Sequence, residues 1–278
     1  MSIRDILVHM DSAQSCASRL AAAIQVATKH DAQLIGLYPL YRPRIPAYAE
    51  VEIPADVLER QFENIVEAGK QAEMGFYKAA EVAGVTTAWK CPEGDPVELL
   101  ATHARYADLL VVSQRNPDGA FSSPMDDVAE QLILTTGRPV LVVPYNYQGN
   151  AIGSRVMVGW DAGQRAARAM QDAIPILQKA DEVSVMAVNP KSNGKDGGNM
   201  PEVGAAAHLS RHGVTATADH VVATELSVED QLLARSADMS ADLLVTGAYG
   251  HARWKELILG GVTRHLLDVM PIPVLMSH

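Results

Sequence analysis

Four glycines near the end of the chain stand at a spacing that suits an anion-binding loop. They are Gly247, Gly250, Gly260 and Gly261, and they follow an apolar run at 241–246. Glycine lacks a Cβ atom, so a ligand can approach the main chain closely at such positions. The free N–H groups at the start of a helix attract anions, phosphate above all. Glycines also serve simply as turns and caps, but four of them behind a buried strand favour a phosphate-binding loop.

A carboxylate follows another apolar run. Asp161 comes directly after the residues at 155–160, just before a helical pattern that starts near Gln164. Its oxygens could accept a hydrogen bond from an exocyclic amine or a ribose hydroxyl, but Asp is also a favoured helix N-cap. Val188, at the end of the next run, is either ordinary core or a residue whose backbone faces a base. Ligands of open parallel sheets bind beyond the carboxyl ends of the strands, where these residues would converge.

Catalytic motifs are missing from the rest of the chain. There is no GxxxxGK[ST], no GxGxxG after the first strand, no GxSxG and no HExxH. His251 could touch a phosphate or could be a solvated loop residue, whereas we expect His9 in the core and His265 on the surface. Spacing identifies no nucleophile and base, so the sequence offers no basis for a catalytic or metal site.

The composition limits the possible partners. The chain has 278 residues, a net charge of −10 and an isoelectric point near 5.3. Proteins that bind nucleic acids carry clustered Lys and Arg, so such an acidic protein is a poor candidate to bind them.

Cys16 and Cys91 form no CxxC pair and are expected to be free thiols of a reducing compartment. No signal-peptide pattern and no apolar run of roughly 18 residues is present. We therefore expect a cytoplasmic protein without membrane contact.

Strands and helices alternate along the whole chain, which predicts parallel sheets covered on both faces. We predict strands at 3–10, 33–38, 85–90, 107–113 and 140–143, with helices at 13–29, 57–82, 95–106 and 124–135. The order then repeats, with strands at 155–160, 182–188, 217–222, 243–246 and 272–276 and helices at 164–179, 205–212, 228–237 and after Gly261. The proline-rich stretch at 39–54 is an irregular excursion. The fold class is α/β, with two doubly wound, Rossmann-like domains at 1–146 and 154–278, each with a five-stranded parallel sheet, and a linker at 147–153.

The two halves are related by duplication. A gapless alignment of residues 107–144 with 241–278 spans 38 positions and contains ten identities. The strand-end residue Asp11 also aligns with Asp161. Self-similarity of this kind indicates a tandem repeat.

The same alignment separates the halves chemically. Ser113, Asn116, Asp126 and Asp127 face the four glycines of the second half. Two of these residues are carboxylates, which would repel a phosphate. We therefore predict nucleotide binding in the second half only, with the first half as a structural partner. Because the first half builds the same strand and helix without these glycines, they are not needed to build the loop, which favours a ligand.

These residues resemble the universal stress protein (UspA-like) family in its tandem two-domain form. The family signature is G-x2-G-x9-G-[S/T], and Gly247, Gly250 and Gly260 match its spacing, preceded by the strand ADLLVT. Gly261 departs from it, since a Ser or Thr is expected there, and Val262 and Thr263 continue the pattern. The missing hydroxyl removes one side-chain hydrogen bond, typically about 0.5–1.5 kcal/mol.

The resemblance implies a site, a ligand and a mode of assembly. Asp161, with its neighbour Ala162, and the backbone at Val188 would meet the adenine of ATP, ADP or AMP. Ribose and phosphates, with or without Mg²⁺, would lie against Gly247, Gly250, His251, Gly260, Gly261, Val262 and Thr263. Family members pair through their last strands, so 140–143 and 274–276 are expected to pair within the chain as a pseudo-dimer, and a homodimer remains open.

Three functions remain open at this point. The first is a nucleotide-binding stress-response regulator or sensor. The second is an interaction module of the same fold that works without a nucleotide, which the change at Gly261 favours. The third is a slow ATPase, against which the absence of a nucleophile–base pair counts.

Overall fold

A computed structural model describes residues 2–42, 54–116, 128–149, 151–189, 200–222, 226–248 and 261–278. Gly250, His251 and Gly260 of the expected site, and residues 43–53 of the proline-rich stretch, lie outside these ranges. For Gly261 and Val262 the backbone alone is described.

The first half contains five strands and four helices in the described ranges. They are β1 (Asp5–His9), α1 (Cys16–His30), β2 (Gln33–Leu37), α2 (Ala55–Ala83), β3 (Thr87–Lys90), α3 (Pro96–Ala104), β4 (Leu109–Ser113), α4 (Val128–Thr135) and β5 (Val140–Val143). Local chemistry sets the helix ends. The carboxylate of Asp95 accepts hydrogen bonds from the amides of Val97 and Glu98 at the start of α3. Gly84 ends α2 with φ of +68°, a conformation that glycine adopts without strain.

The second half repeats this order. It contains β6 (Arg155–Gly159), α5 (Gln164–Leu177), β7 (Glu182–Val188), α6 (Pro201–Arg211), β8 (Ala216–Val221), α7 (Val228–Asp238), β9 (Leu243–Gly247), α8 (Gly261–Val269) and β10 (Val274–Ser277). The predicted elements are present and their ends shift by a few residues. At α6 the start moves from 205 to Pro201, which occupies the first turn that its fixed φ suits.

The ten strands form one sheet, in the order β3-β2-β1-β4-β5-β10-β9-β6-β7-β8. All pairs within each half are parallel, whereas β5 and β10 pair antiparallel, with Leu141 opposite Leu275. The expected pairing of the two last strands within one chain is therefore confirmed. Because the direction reverses at this pair, the carboxyl ends of the strands in the two halves lie at opposite edges of the sheet.

Apolar layers cover both faces of the sheet. One face carries α1, α2, α5 and α6, and the other carries α3, α4, α7 and α8. Strands buried on both faces read as continuous apolar runs, as β4 and β5 do. In the described part of the chain, no helix is long and apolar enough to span a lipid bilayer.

Two matched aspartates show that the duplication extends to side-chain contacts. Asp108 accepts hydrogen bonds from the amides of Arg4 and Asp5 at the start of β1. Asp242, its counterpart, accepts from the amides of Ser154 and Arg155 at the start of β6. The identities in the repeat therefore include residues that anchor equivalent strands.

A double-mutant cycle tests the pairing of the halves. Leu141→Ala and Leu275→Ala should each lower the free energy of unfolding by about 2–5 kcal/mol, because both side chains are fully buried. Since the two residues lie opposite each other, the double variant should depart from additivity by at least about 0.5 kcal/mol in urea unfolding. Leu141→Ala combined with Leu209→Ala, on α6, serves as the control and should be additive. Additive losses in both pairs would contradict the pairing.

Candidate functional site

Strand ends of the second half converge as the sequence predicts. The chain leaves β6 at Asp161 and Ala162, β7 ends at Val188, and β9 ends at Gly247. Because β6 pairs in parallel with both β7 and β9, these three ends share one edge of the sheet. The structure thus brings together the described members of the expected site, and α8 begins at Gly261 after the glycine segment.

Asp161 shapes the turn after β6 instead of capping α5. Its Oδ1 accepts a hydrogen bond from the amide of Gly163 at 2.7 Å. Gly163 itself is the N-cap of α5 and has no side chain that could cap the helix. Between them, Ala162 has φ of +59°, a left-handed conformation that residues with a Cβ rarely adopt. The helix-cap alternative for Asp161 is therefore wrong.

The main chain of Val188 faces the space beyond the end of β6. The amide of Trp160 donates to the carbonyl of Met186 at 2.8 Å, and the amide of Asn189 donates to the carbonyl of Val221 at 2.8 Å. The N–H and C=O of one strand residue point to the same side, and the side alternates along the strand. The N–H and C=O of Val188 therefore point toward β6, as those of Met186 do. At that level, however, β6 has ended and its chain has entered the turn at Asp161. In the described residues no backbone hydrogen bond joins Val188 to Trp160.

The first half repeats this arrangement with one change. The amide of Met10 donates to the carbonyl of Leu37 at 2.8 Å, which matches the bond between β6 and β7 just described. Two residues after Leu37, the last residue of β2, Pro39 takes the place of Val188. Proline has no N–H, so the first half lacks the donor that the second half presents.

Gly247 has a structural reason to be glycine. A Cβ atom there would lie 2.5 Å from the backbone N of Ala166 and from the carbonyl carbon of Arg165. The first turn of α5 therefore packs directly on the end of β9. Packing therefore explains why residue 247 is a glycine, and no ligand is needed for that explanation. The comparison of the two halves still favours a ligand at Gly250, Gly260 and Gly261.

In the first half, a buried guanidinium occupies the equivalent region. Arg19 donates from Nε to the carbonyl of His9 at 2.6 Å and from Nη1 to Oγ of Ser113 at 2.7 Å. Its Nη2 lies 2.9 Å from Oδ1 of Asp11. Ser113 is the counterpart of Gly247, and Asp11 is the counterpart of Asp161. Arg19 thus links Asp11 to Ser113. In the second half the counterparts of these two residues make other contacts, Asp161 with the turn at Gly163 and Gly247 with the first turn of α5.

This cluster fixes the charge states of its members. Burial, together with the positive charge of Arg19, lowers the pKa of His9 from 6.5 to about 3. Burial alone would raise the pKa of Asp11, but the attraction of Arg19 outweighs it and the pKa lies below its ordinary value. At neutral pH the cluster therefore holds a neutral imidazole and an ion pair. His9 is in the core, as predicted.

Residues of α8 divide between the core and the surface. Thr263 is buried, whereas His265 is exposed and lies 3.2 Å from Asp230. Nε of Arg264 lies 4.0 Å from Oε1 of Glu130, in the other half of the chain. His265 is therefore a surface residue, as predicted. Among the described residues, no group of three or more His, Cys, Asp or Glu is placed to hold a metal ion.

Two functional differences escaped the sequence interpretation. Arg19 lies on α1 among the buried residues Leu20, Ala22 and Ala23, so its place on the apolar face is a signal that the helix pattern contains. Pro39 lies in the stretch that the sequence predicts to be an irregular excursion. The hydrogen bonds between the strands extend the alignment of Asp11 with Asp161, and they place Pro39 opposite Val188.

The fold, together with the clefts at the carboxyl ends of the strands, defines a tandem α/β protein that arose by duplication. The chain belongs to the universal stress protein family, whose sequence profile matches residues 2–144 and again residues 154–278. No curated protein sequence matches the chain.

Solved structures agree with this assignment. A universal stress protein from Archaeoglobus fulgidus DSM 4304 has a TM-score of 0.74 at 15% identity, and covers 98% of this chain and 97% of its own. A functionally unknown protein from Pseudomonas aeruginosa PAO1 has a TM-score of 0.59 at 15% identity, covering 99% of this chain and 92% of its own. A universal stress protein in complex with cAMP matches 51% of this chain and 98% of its own at 23% identity, with a TM-score of 0.40. At 15% identity, the first two of these structures show a likeness of fold alone.

Replacement of Gly247 tests its structural role. Gly247→Ala should lower the free energy of unfolding by about 1–3 kcal/mol, because the new Cβ would overlap the backbone of α5. Gly75→Ala, in the interior of α2 with nothing within 4 Å of the new Cβ, is the matched control and should raise it by up to about 1 kcal/mol. Denaturant unfolding measures both, and a neutral Gly247→Ala would contradict the close packing.

The buried imidazole predicts a loss of stability in mild acid. The pKa of His9 is about 3 in the folded chain and 6.5 in the unfolded chain, so only the unfolded chain gains a proton as the pH falls below 6.5. Between pH 7 and pH 5 this costs about 2 kcal/mol of folding free energy. His9→Gln should reduce the pH dependence of urea unfolding by that amount. An unchanged pH dependence would show that His9 takes up a proton in the folded state.

Proposed function

We propose that the second half binds an adenine nucleotide, such as ATP, ADP or AMP, beyond the ends of β6, β7 and β9. The observation that carries this proposal is the main chain of Val188, which presents an N–H and a C=O side by side toward the space beyond β6. Adenine offers the complement, a ring-nitrogen acceptor beside an exocyclic amine donor. A backbone pair of this kind would select adenine over a base with the opposite order of donor and acceptor.

Asp161 and the glycine segment supply the rest of the proposed site. The carboxylate of Asp161 lies on the turn that follows β6, where a ribose hydroxyl or the adenine amine could donate to it. The phosphates would lie along the segment between Gly247 and Gly261, at the N-terminus of α8, where amides and the helix dipole favour negative charge. His251, Val262 and Thr263 complete the proposed contacts. Mg²⁺ would arrive with the phosphates, since it prefers phosphate oxygens and water to ligand sets made by protein alone.

Three differences support restricting this function to the second half. Pro39 removes the N–H that Val188 would donate. Arg19 engages Oδ1 of Asp11 in an ion pair at 2.9 Å, and the residue at the position of Arg19 in the second half is Ala169, which cannot form one. The sequence places Asp126 and Asp127 where the second half has Gly260 and Gly261. We propose domain boundaries at 1–146 and 154–278 for the two units.

The role we propose is that of a cytoplasmic stress-response regulator that senses nucleotide through one of its two halves. Cys16 and Cys91 are both free thiols, which suits a reducing compartment. The alternatives are a nucleotide-independent interaction module, which the titration below separates from a nucleotide sensor, and a slow ATPase.

A backbone substitution tests the proposed adenine contact. Val188→Pro removes the N–H on the open side of β7 and should weaken ATP binding about tenfold, the value of one well-placed hydrogen bond to a ligand. Val188→Ala keeps that N–H and should bind like the parent. Isothermal titration of ligand-stripped protein with ATP, ADP, AMP and cAMP measures both. Equal affinity in the two variants would show that the amide is not used.

A second pair of variants locates the phosphates. Gly250→Asp places a carboxylate in the glycine segment and should weaken ATP far more than AMP, because it repels the additional phosphates. Asn116→Gly, at the equivalent position of the first half, should leave both affinities unchanged. No binding of any nucleotide at millimolar concentration would favour the interaction module. Equal losses from both variants would contradict a single site.

A further inference from the structure

A buried carboxylate lies beneath the outermost strand of the second half. Glu202 is in the first turn of α6, yet it is only 1% exposed. β8 is the last strand in the order of the described sheet, and α6 belongs to the apolar layer that Ala216 of β8 packs against. Alternate residues of a strand share one face, so His220 faces α6 as Ala216 does.

The contacts of Glu202 leave its charge only partly compensated. Its Oε1 lies 3.2 Å from Nδ1 of His220, whose side chain is 49% exposed. Its Oε2 is buried and, in the described part of the chain, has no hydrogen-bond partner. A buried carboxylate is costly unless it is paired and hydrogen-bonded. The unpartnered oxygen beside an imidazole therefore points to a further ligand at this position.

The spacing of the two side chains fits shared coordination of a metal ion. Zn²⁺ binds carboxylate oxygen and imidazole nitrogen at about 2.0–2.1 Å, so two such ligands of a tetrahedral site lie about 3.3 Å apart. The 3.2 Å between Oε1 of Glu202 and Nδ1 of His220 agrees with this separation. Because the imidazole is half-exposed, an ion can enter from solvent and water can occupy the remaining coordination positions.

The repeat places a related pair in the first half. Equivalent backbone hydrogen bonds follow α2 and α6, from Val85 to Ala80 and from Val214 to Leu209. Aligned on these bonds, Glu73 matches Glu202 and Cys91 matches His220. Burial, together with the charge of Glu73, raises the pKa of Cys91, so its thiol keeps its proton at neutral pH and is a poor metal ligand. The second half therefore holds the better pair of ligands.

We propose that Glu202 and His220 bind a divalent transition-metal ion, represented by Zn²⁺, and that water completes its coordination. The ion neutralises the buried carboxylate and ties the first turn of α6 to β8. An imidazole ligand favours Zn²⁺, Ni²⁺ or Cu²⁺ over Mg²⁺ and Ca²⁺, which prefer oxygen ligands. The strand β7 separates β8 from β6, and the inference does not rest on nucleotide binding.

Titration with Zn²⁺ tests the site in the full chain, without an affinity tag or nucleotide. Isothermal titration should give a dissociation constant of about 10–100 μM, as expected for a site with two protein ligands. His220→Gln and Glu202→Gln should each weaken Zn²⁺ by about tenfold or more, because each removes one of the two ligands. Circular dichroism checks that both variants fold, and the half-exposed His220 carries the test if the buried Glu202 variant does not. No binding at millimolar Zn²⁺, or unchanged affinity in folded His220→Gln, would overturn the proposal.

Two other histidine contacts provide matched controls. His265 lies 3.2 Å from Asp230, the same separation, but both of these side chains are exposed. The rings of His208 and His212, near the end of α6, have centroids 4.6 Å apart and are a competing pair of metal ligands. His265→Gln and His208→Gln should bind Zn²⁺ like the parent. A loss of affinity in either control as large as that in His220→Gln would overturn the assignment.

Cobalt identifies the ligand atoms and excludes the matched pair of the first half. Co²⁺ held by oxygen and nitrogen should show only weak visible absorption, whereas a thiolate ligand adds an intense sulfur-to-cobalt band in the near ultraviolet. We expect no such band. A band that disappears in Cys91→Ser would place the metal in the first half and overturn the proposal. Displacement of Co²⁺ by an equal concentration of Mg²⁺ would indicate an all-oxygen site, with the same consequence.

Discussion

The pairing of β5 with β10 is the constraint on which the rest of the molecule depends. Both strands are completely buried, so neither half could leave its last strand open to water without exposing an apolar edge. The antiparallel register of Leu141 with Leu275 joins two parallel sheets into one and continues each apolar layer across the junction. Further bonds cross between the halves, from Gln114 to the carbonyl of Asp268 and from Lys179 to the carbonyl of Lys29. The reversal of direction at the pair then directs the two clefts away from each other.

Within this common frame, a few substitutions give the clefts different chemistry. Both halves keep the aspartate-stabilised turn after the first strand, since Oδ1 of Asp11 accepts from Ala13 as Oδ1 of Asp161 accepts from Gly163. What changes is the surroundings of that carboxylate. In the first half the buried guanidinium of Arg19 forms an ion pair with it. A turn stabilised by the same aspartate contact therefore carries an ion-paired carboxylate in the first half, and its backbone differs from that of the second half at Ala162, which has a positive φ.

The sequence predicts the strands, the alternation with helices and the duplication well, because apolar runs buried on both faces leave a clear local signal. It does not predict the role of Arg19, since a charged residue on a helix is usually solvated and its partner Ser113 lies 94 residues away. Gly247 shows the opposite case. The sequence pattern favours a ligand as the reason for its missing side chain, but the close approach of α5 explains it. That approach is a tertiary contact, which the spacing of residues does not reveal. Likewise, Pro39 acquires meaning only when the strand hydrogen bonds define its counterpart.

Carrying both halves in one chain has a consequence for how the clefts can diverge. A dimer of identical single-domain subunits presents the same cleft twice, so every substitution alters both copies at once. Here β5 and β10 provide that pairing within one polypeptide. Each cleft can therefore accumulate its own substitutions, and the two halves differ at Pro39 against Val188 and at Ser113 against Gly247. Joining the halves in one chain allows one cleft to change while the other stays as it is.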